Sequence, residues 1–150
     1  MLFRSIADEP TTALDVTIQA QILELMQEMK ERFGMAIMLI THAMGVVAET
    51  CQRVTVMYAG KVVEEAPVRE LFGSPRHPYT QGLIRSIPRV DRAAKHKERL
   101  EAIPGTVPSL LVPPPGCRFA ARCRFATDVC TRAMPAMKEV SPGHFVRCVL

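Results

Sequence analysis

Four cysteines near the end of the sequence have the residue type and number of a metal site. Cys117, Cys123, Cys130 and Cys148 are separated by five, six and seventeen residues. In the cytosol, four thiols are more often metal ligands than disulfides. Four thiolates suit a tetrahedral Zn²⁺ ion or a [4Fe–4S] cluster, and the spacing lacks the C-x2-C pair that favours zinc. The spacing alone leaves the metal open.

Two adjacent carboxylates near the start of the sequence form a second candidate site. Asp8 and Glu9 close a short apolar segment, and Pro10 ends its strand pairing. A Mg²⁺ site needs one or two carboxylates plus substrate phosphates, and a neighbouring carboxylate can orient a water molecule. A solvated turn with acidic residues before a helix explains the same pair more simply, so the two carboxylates alone are weak evidence for such a site.

Helices and strands of an α/β sheet must position these residues. Apolar residues recur at spacings of three and four from Val16 to Phe33, which predicts a helix that Gly34 ends. The apolar run from Met35 to Ile40 predicts a buried strand with Thr41-His42 at its end. A further helix is expected over about residues 45–52.

The next segment predicts a hairpin. Residues 54–58 and 62–63 are rich in β-branched residues and flank Ala59-Gly60-Lys61. The resulting order, β-α-β-α-β-β, predicts a parallel α/β sheet that finishes in an antiparallel hairpin at its edge. Such sheets place ligand groups at the carboxyl ends of their strands.

The rest of the chain changes character twice. Short helices are expected over residues 68–72 and 79–86, followed by linker composition over 87–116, which includes a charged stretch and six prolines. We therefore predict three parts. They are a nucleotide-binding part over 1–66, an extension and linker over 67–116, and an irregular four-cysteine tail over 117–150.

Composition excludes several classes of protein. The 150 residues are 48% hydrophobic and 23% charged, with six residues in the longest apolar run, against about 20 for a membrane span. The N-terminus lacks a secretion signal, so a cytosolic chain is expected. Trp is absent and aromatic residues make up 5%, which argues against stacking on nucleic acid bases. Residues 1–84 carry 7 Lys+Arg and 10 Asp+Glu, net −3, whereas residues 85–150 carry 12 and 5, net +7. The basic half suits an anionic partner or a solvated surface.

Several segments resemble a known family. The segment IADEPTTALD, residues 6–15, is similar to the Walker B motif and D-loop of ABC transporter ATPases, and Leu39-Ile40-Thr41-His42 is similar to their switch-histidine strand. Four more segments resemble the ATP-binding subunits of bacterial oligopeptide and dipeptide importers: DVTIQAQI (15–22), MYAG (57–60), HPYT (77–80) and IPGT (103–106). The resemblance covers nearly the whole chain and implies the C-terminal part of a P-loop NTPase sheet.

The resemblance implies roles for individual residues. Asp8 would support the nucleotide-bound Mg²⁺, Glu9 would polarise the attacking water, and His42 would contact the γ-phosphate. Asp15, in the D-loop, would act across a dimer interface. The implied cofactors are ATP and Mg²⁺. The implied partners are transmembrane permease subunits and a second ATP-binding subunit, at the inner face of the cell membrane, and the transported solute would be a peptide.

This sequence departs from the family pattern in three respects. The 150 residues contain neither a phosphate loop of the form G-x-x-x-x-G-K-[ST] nor a Leu-Ser-Gly-Gly-Gln-type signature. Arg4-Ser5 interrupt the usually apolar first strand, and Ala43 stands where the family usually has Asp. We therefore expect a truncated C-terminal fragment that does not hydrolyse ATP alone. It would be either a remnant or one half of a subunit that an N-terminal half completes.

The resemblance also bears on the cysteine tail. The segments GCRFA (116–120) and RC (122–123) resemble the tail of importer subunits that look like carriers of a four-cysteine iron–sulfur cluster. The resemblance therefore implies a [4Fe–4S] cluster, with zinc or free or oxidised thiols as alternatives. Four arginines near the cysteines can offset thiolate charge or belong to an ordinary basic surface: Arg118, Arg122, Arg124 and Arg147. His77 and His144 are expected to have structural or solvent roles, since four cysteines complete a site.

A function of another class is a non-catalytic, basic metal-binding interaction module. Its support is the net charge of +7 over residues 85–150 together with the four cysteines. A strongly salt-dependent affinity for DNA or RNA would distinguish this alternative from the transporter subunit.

Overall fold

A computed structural model describes residues 4–87 and 102–150 of the chain. The chain forms two compact units, residues 1–51 and residues 52–150. This division lies between Cys51 and Gln52, so it differs from the predicted boundaries at 66 and 116. Part of the predicted linker, residues 88–101, lies outside the described residues, and residues 102–116 form no helix or strand.

The first unit is a small α/β structure. Its elements are β1 (Arg4–Asp8), α1 (Val16–Phe33), β2 (Ala36–Ile40) and α2 (Met44–Thr50). Strands β1 and β2 are parallel and in register from Arg4 opposite Ala36 to Asp8 opposite Ile40. Arg4 is tolerated within β1 because its side chain is exposed. Since parallel strands end at the same edge, Asp8 lies beside Ile40, and the residues that follow each strand leave the sheet at the same edge.

Helix α1 has the predicted bounds because both ends are capped. The Asp15 side chain accepts a hydrogen bond from the Ile18 amide at 3.0 Å, and Gly34 adopts a left-handed φ of +58°. No residue of α1 is fully buried, and Leu25 and Phe33 on its apolar face are 51% and 55% exposed. In the described ranges, no helix combines the length and apolarity needed to cross a membrane.

The second unit is built on one antiparallel sheet. Its strands are β3 (Arg53–Tyr58), β4 (Lys61–Pro67), β5 (Lys138–Ser141) and β6 (His144–Val146), in the spatial order β3-β4-β6-β5. Its helices are α3 (Val68–Gly73), α4 (Pro78–Arg85) and α5 (Asp128–Arg132), with a 3₁₀ turn at Ala120–Arg122.

Two predictions about this unit are wrong. The β3–β4 hairpin does not finish the parallel sheet, because β4 pairs with β6 from the cysteine tail. The tail is also not wholly irregular, since it supplies two strands and a helix. The physical reason is non-local pairing: Glu64 of β4 lies opposite Val146 of β6, far along the chain.

The hairpin turn and an aromatic cluster form the centre of this unit. Ala59 and Gly60 have φ of +46° and +76°, the positive values of a two-residue hairpin turn. Tyr58 packs against Tyr79 and Phe119, with ring centroids 4.7 and 5.2 Å away. The core around these rings contains the buried side chains of Val56, Tyr58, Val63, Ala66, Leu71 and Phe119.

A fully buried carboxylate joins the elements of this sheet. Glu64 is 0% exposed, and its Oε1 lies 2.7 Å from His144 Nε2. The backbone amides of Arg76 and His77 donate to the two oxygens of the same carboxylate, at 2.7 and 2.9 Å. These contacts connect β4, β6 and the segment before α4. A buried charge is tolerated when it is paired and hydrogen-bonded in this way.

Candidate functional sites

The first candidate site lies where the two parallel strands end. Glu9 follows β1, and its amide donates to the carbonyl of Ile40 at 2.8 Å. His42 follows β2, and its Nδ1 lies 2.8 Å from Glu9 Oε1. The structure therefore brings together the two residues that the sequence predicted to be catalytic. Both side chains are accessible, with 39% of Glu9 and 79% of His42 exposed.

A tight turn after β1 fixes the Glu9 carboxylate. Glu9 has a φ of +47°, and its carbonyl accepts from the Thr12 amide at 3.1 Å. The Thr12 hydroxyl donates to Glu9 Oε2. The hydrogen bonds from Thr12 and then His42 lower the pKa of the Glu9 carboxyl below its usual value. Glu9 is therefore an ionised acceptor at neutral pH, in a left-handed backbone conformation that non-glycine residues adopt only at a cost.

The two predicted cofactor residues have different positions. Asp8 is the last residue of β1, opposite Ile40, and its side chain is exposed at the same strand end as Glu9. Asp15 caps helix α1. Among the described contacts, none joins Asp15 to Glu9 or His42, so its observed role is structural. The predicted role of Asp15 across a dimer interface stays a prediction.

The second candidate site is a small cavity in the second unit, of about 20 Å³. All four tail cysteines line it, together with His77 and Phe119, and all four are free thiols: Cys117, Cys123, Cys130 and Cys148. The Cys117 amide donates to the Cys130 carbonyl at 2.7 Å, which holds two cysteine-bearing segments together. Gly116 makes this approach possible, because a Cβ there would lie 2.1 Å from the Cys130 carbonyl oxygen.

The electrostatics of this cavity disfavour thiolates in the absence of a cation. Burial raises the pKa of Cys117, and the neighbouring thiols of Cys148, Cys130 and Cys123 raise it further. Burial is also the main reason that the pKa of Cys123 is raised, while Arg124 opposes that shift. Because metal ligation requires thiolates, a bound cation would offset the unfavourable ionisation of Cys117 and Cys123.

The geometry does not define a site for one metal ion. Within residues 4–87 and 102–150, no group of three or more His, Cys, Asp or Glu side chains is arranged to hold a single ion. Tetrahedral Zn²⁺ requires sulfurs about 2.3 Å from one point. The four thiols line one cavity, and the expected [4Fe–4S] cluster stays a prediction.

Sequence reasoning missed three side chains around these sites. Thr12 binds Glu9, and its only signal was a hydroxyl three residues after the carboxylate, a spacing typical of turns. Glu64 and His144 form the buried pair, although 80 residues separate them. No local pattern marks that pair, because Glu64 follows Val62-Val63 like any polar residue of a hairpin.

The comparisons with known proteins agree with this architecture. Residues 63–130 match the family described as the oligopeptide/dipeptide transporter C-terminal region. A protein named as a probable peptide ABC transporter ATP-binding protein of Sinorhizobium fredii is 59% identical over 95% of this chain. The oligopeptide and dipeptide transport ATP-binding proteins AppD and DppD of Bacillus subtilis are 54% and 52% identical, each over 97% of this chain.

The chain covers only part of these relatives. It spans 42%, 43% and 42% of their respective lengths. Homologues of this chain are thus ATP-binding subunits of peptide ABC transporters. The expected resemblance to the C-terminal part of oligopeptide and dipeptide importer subunits is confirmed.

Proposed function

We propose that this chain acts as the C-terminal part of an ATP-binding subunit that couples ATP binding and hydrolysis to peptide uptake. The contact between Glu9 and His42, 2.8 Å at the ends of two parallel strands, carries the proposal. Glu9 polarises the attacking water, His42 contacts the γ-phosphate, and Asp8 supports Mg²⁺ on the nucleotide. Asp15 acts across the interface with a second ATP-binding subunit.

The chemistry of phosphoryl transfer suits this arrangement. Such reactions depend on positioned charges and an oriented water more than on covalent catalysis. Thr12 and His42 keep the Glu9 carboxylate ionised and fixed, so that it can accept a hydrogen bond from water. The contact with Glu9 also orients the imidazole of His42. Mg²⁺, when bound with ATP, would neutralise part of the negative charge of the phosphates.

The 150 residues alone do not hydrolyse ATP in this proposal, because they contain no phosphate loop or signature motif. The partners are transmembrane permease subunits and a second ATP-binding subunit. The location is the cytoplasm, peripheral at the inner face of the cell membrane. The missing motifs are supplied by an N-terminal half.

Reconstitution tests the catalytic assignment. The purified chain is assayed for ATP hydrolysis alone, and then with the N-terminal region of AppD that it does not cover, supplied as a second polypeptide. We expect no turnover from the chain alone, and turnover from the mixture that Glu9→Gln abolishes. If the chain alone hydrolyses ATP and Glu9→Gln abolishes this activity, the proposal that the 150 residues alone are inactive is wrong. Equal turnover of wild-type and Glu9→Gln mixtures would contradict the role of Glu9.

The four cysteines of the second unit hold a [4Fe–4S] cluster in this proposal. Support comes from the four free thiols and from the one cavity that all four of them line. Cluster ligation by four Cys thiolates is a common arrangement. Zn²⁺ is the alternative metal that the same four cysteines would bind.

Anaerobic purification tests the cluster. Iron, sulfide and zinc are measured in the same sample as the visible absorption spectrum. We expect nearly equal molar amounts of iron and sulfide together with a brown chromophore. The Cys123→Ser variant should lack this chromophore. Zinc without sulfide would support the alternative, and a metal-free chain after anaerobic reconstitution with Fe²⁺ and sulfide would refute both.

A further inference from the structure

Three of the four tail cysteines have an arginine as an immediate chain neighbour, and each of these arginines is bound to the domain core. Arg118 follows Cys117, Arg122 precedes Cys123, and Arg147 precedes Cys148. Their guanidinium groups donate to oxygens of the β3–β4 hairpin and of the loops beside it.

Arg122 makes the largest set of contacts. Its Nε donates to the Pro104 carbonyl at 2.7 Å and its Nη2 to the Ile103 carbonyl at 2.8 Å. Its Nη1 donates to the Tyr58 hydroxyl at 3.2 Å. One planar guanidinium therefore joins the segment beside Cys123 to residues 103–104 and to the end of β3. A lysine has one nitrogen and cannot reproduce this fork.

Arg147 makes an equivalent connection beside Cys148. Its backbone amide donates to the Val63 carbonyl at 2.8 Å, and its Nε donates to the Val62 carbonyl at 2.9 Å. Its Nη1 reaches the Pro135 carbonyl at 3.1 Å. The residue before the last cysteine is thus fixed to β4 by both its backbone and its side chain.

Arg118 completes the pattern beside Cys117. Its Nη1 donates to the Ala59 carbonyl in the hairpin turn. Its Nε is buried, with no hydrogen-bond partner among the described residues. An unpaired buried donor is costly.

Arg124 differs from these three and provides a matched control. It is exposed and stacks on the Phe125 ring, with its Cζ 4.7 Å from the ring centroid. Within the described residues it has no hydrogen bond to the hairpin. Arg124 also lowers the pKa of Cys123 by its charge. Arg124 therefore provides charge compensation without attachment to the hairpin, whereas the other three arginines are attached to it by hydrogen bonds.

We propose that Arg118, Arg122 and Arg147 are positioning residues that attach the cysteine-bearing segments to the β3–β4 hairpin and so hold the four thiols around one cavity. Arg122 and Arg147 each use two or more guanidinium nitrogens, so their attachment depends on the forked geometry and not on the charge. Arg118 attaches through Nη1 alone. The expectation that this attachment slows the loss of a bound metal rests on the proposed metal-binding function of the four cysteines. The expectation that it lowers the alkylation rates of the thiols does not.

Charge-conserving substitutions in the full chain test this inference. The variants are Arg118→Lys, Arg122→Lys and Arg147→Lys, with Arg124→Lys as the control. In the reduced, metal-free chain, the alkylation rate of each cysteine by iodoacetamide is followed by mass spectrometry. We expect each substitution to raise the alkylation rate of the neighbouring cysteine by about 10-fold relative to that of Cys130. We expect Arg124→Lys to leave all of these rates unchanged. General destabilisation would accelerate all four tail cysteines equally.

A second measurement uses Fe²⁺ and sulfide after anaerobic reconstitution. Substitution of groups that orient metal ligands commonly weakens metal binding about 10- to 100-fold. We expect loss of bound iron to a chelator to accelerate by a factor in this range in the three variants and not in Arg124→Lys. Tyr58→Phe removes one acceptor of Arg122 without changing any arginine, and should accelerate Cys123 alkylation in the same direction by a smaller factor.

The outcomes separate the two proposals. Unchanged alkylation in all three variants, or equal acceleration of the four tail cysteines, overturns the attachment even if the chain binds iron. Neighbour-specific acceleration in a chain that takes up no metal supports the attachment and refutes the cluster. If Arg122→Lys does not fold, Tyr58→Phe replaces it: an alkylation rate of Cys123 equal to wild type overturns the attachment through Arg122. Arg118→Lys and Arg147→Lys decide for Cys117 and Cys148.

Discussion

Glu9 concentrates most of the chemistry of the first unit in one residue. Its backbone turns into the left-handed region immediately after β1, which directs the carboxylate toward the turn residues and the end of β2. Two hydrogen bonds then hold its two oxygens separately, one from Thr12 and one from His42. The acidity of Glu9 is therefore set by its neighbours in the turn and the adjacent strand.

We predict that Thr12→Val raises the pKa of Glu9, because the Thr12 hydrogen bond is the largest single cause of the lowered value. A lowered carboxyl pKa contributes stability above the unfolded pKa, and this contribution is lost as the pH falls through the folded pKa. Carbon-13 NMR titration of the Glu9 carboxyl measures the shift. Thr17→Val on exposed α1 is the control, and an unchanged Glu9 pKa in Thr12→Val would contradict the prediction.

His77 provides a residue-scale prediction about pH. Burial lowers the pKa of His77 to about 4 from 6.5, so the unfolded chain takes up a proton at higher pH than the folded one. Stability should therefore fall between pH 6.5 and 4, by about 3 kcal/mol from this residue. His77→Asn keeps a side-chain acceptor for the Tyr79 amide and removes the titration. Urea unfolding across this pH range should show a shallower slope for the variant, and parallel curves would refute the prediction.

At the scale of elements, α2 begins without a side-chain cap. Ala43 occupies the N-cap position and accepts only through its backbone carbonyl. Ala43→Asp should stabilise the helix by about 0.5–2 kcal/mol, because an aspartate oxygen can accept from the exposed amides of the first turn. Slower hydrogen exchange at Gly45 and Val46 measures the effect. Ala48→Asp, within the same helix, should bring no such protection.

The segment before Cys117 is limited by close backbone approach. Gly116→Ala would place a Cβ 2.1 Å from the Cys130 carbonyl oxygen and 2.6 Å from the Thr131 carbonyl carbon. Relieving that overlap requires backbone movement, at a cost of about 1–3 kcal/mol or more. Gly73→Ala is the control, because nothing lies within 4 Å of its added Cβ. Equal urea midpoints for the two variants would show that the Gly116 contact relaxes freely.

The sequence predicts the local elements better than their pairing. Helix α1 matches its predicted bounds because Asp15, the apolar spacing and Gly34 all act within the helix. The hairpin was also predicted, since its turn residues are local. Its sheet was assigned incorrectly because the partner strand β6 is three residues long and distant in sequence. The arginine contacts were missed for the same reason: a backbone carbonyl acceptor leaves no mark in the sequence.

Of the first site, the family resemblance gave the Glu9–His42 pair, and the turn chemistry was needed for Thr12. The residue types alone allowed a solvated turn just as well. Nothing short of the fold places an imidazole 33 residues away beside the carboxylate. For the cysteines, spacing gave the set of donors, whereas the shared cavity required knowledge of the β4–β6 pairing.

At the scale of the whole molecule, one spectroscopic probe reports on one unit. Both tyrosines of the chain, Tyr58 and Tyr79, lie in residues 52–150, and the chain has no Trp. If the four tail cysteines hold the proposed cluster, its removal should lower the midpoint of the tyrosine-fluorescence unfolding transition, since a ligand that binds only the folded state stabilises it. A variant with all four tail cysteines replaced by Ser should lose this dependence, and Cys51→Ser should keep it. Equal unfolding midpoints of the wild-type chain with and without metal would contradict the prediction.

The buried pair of Glu64 and His144 also has a consequence in time. At about 5–20 residues per second, a ribosome needs about 4–16 s to synthesise the 80 residues that separate the two partners. Throughout that interval β4 has been made but its neighbour β6 has not, so the edge of β4 lacks its partner strand and the Glu64 carboxylate lacks His144. The nascent hairpin is therefore open to chaperones, proteases and other unfinished chains for seconds before its own last strand arrives.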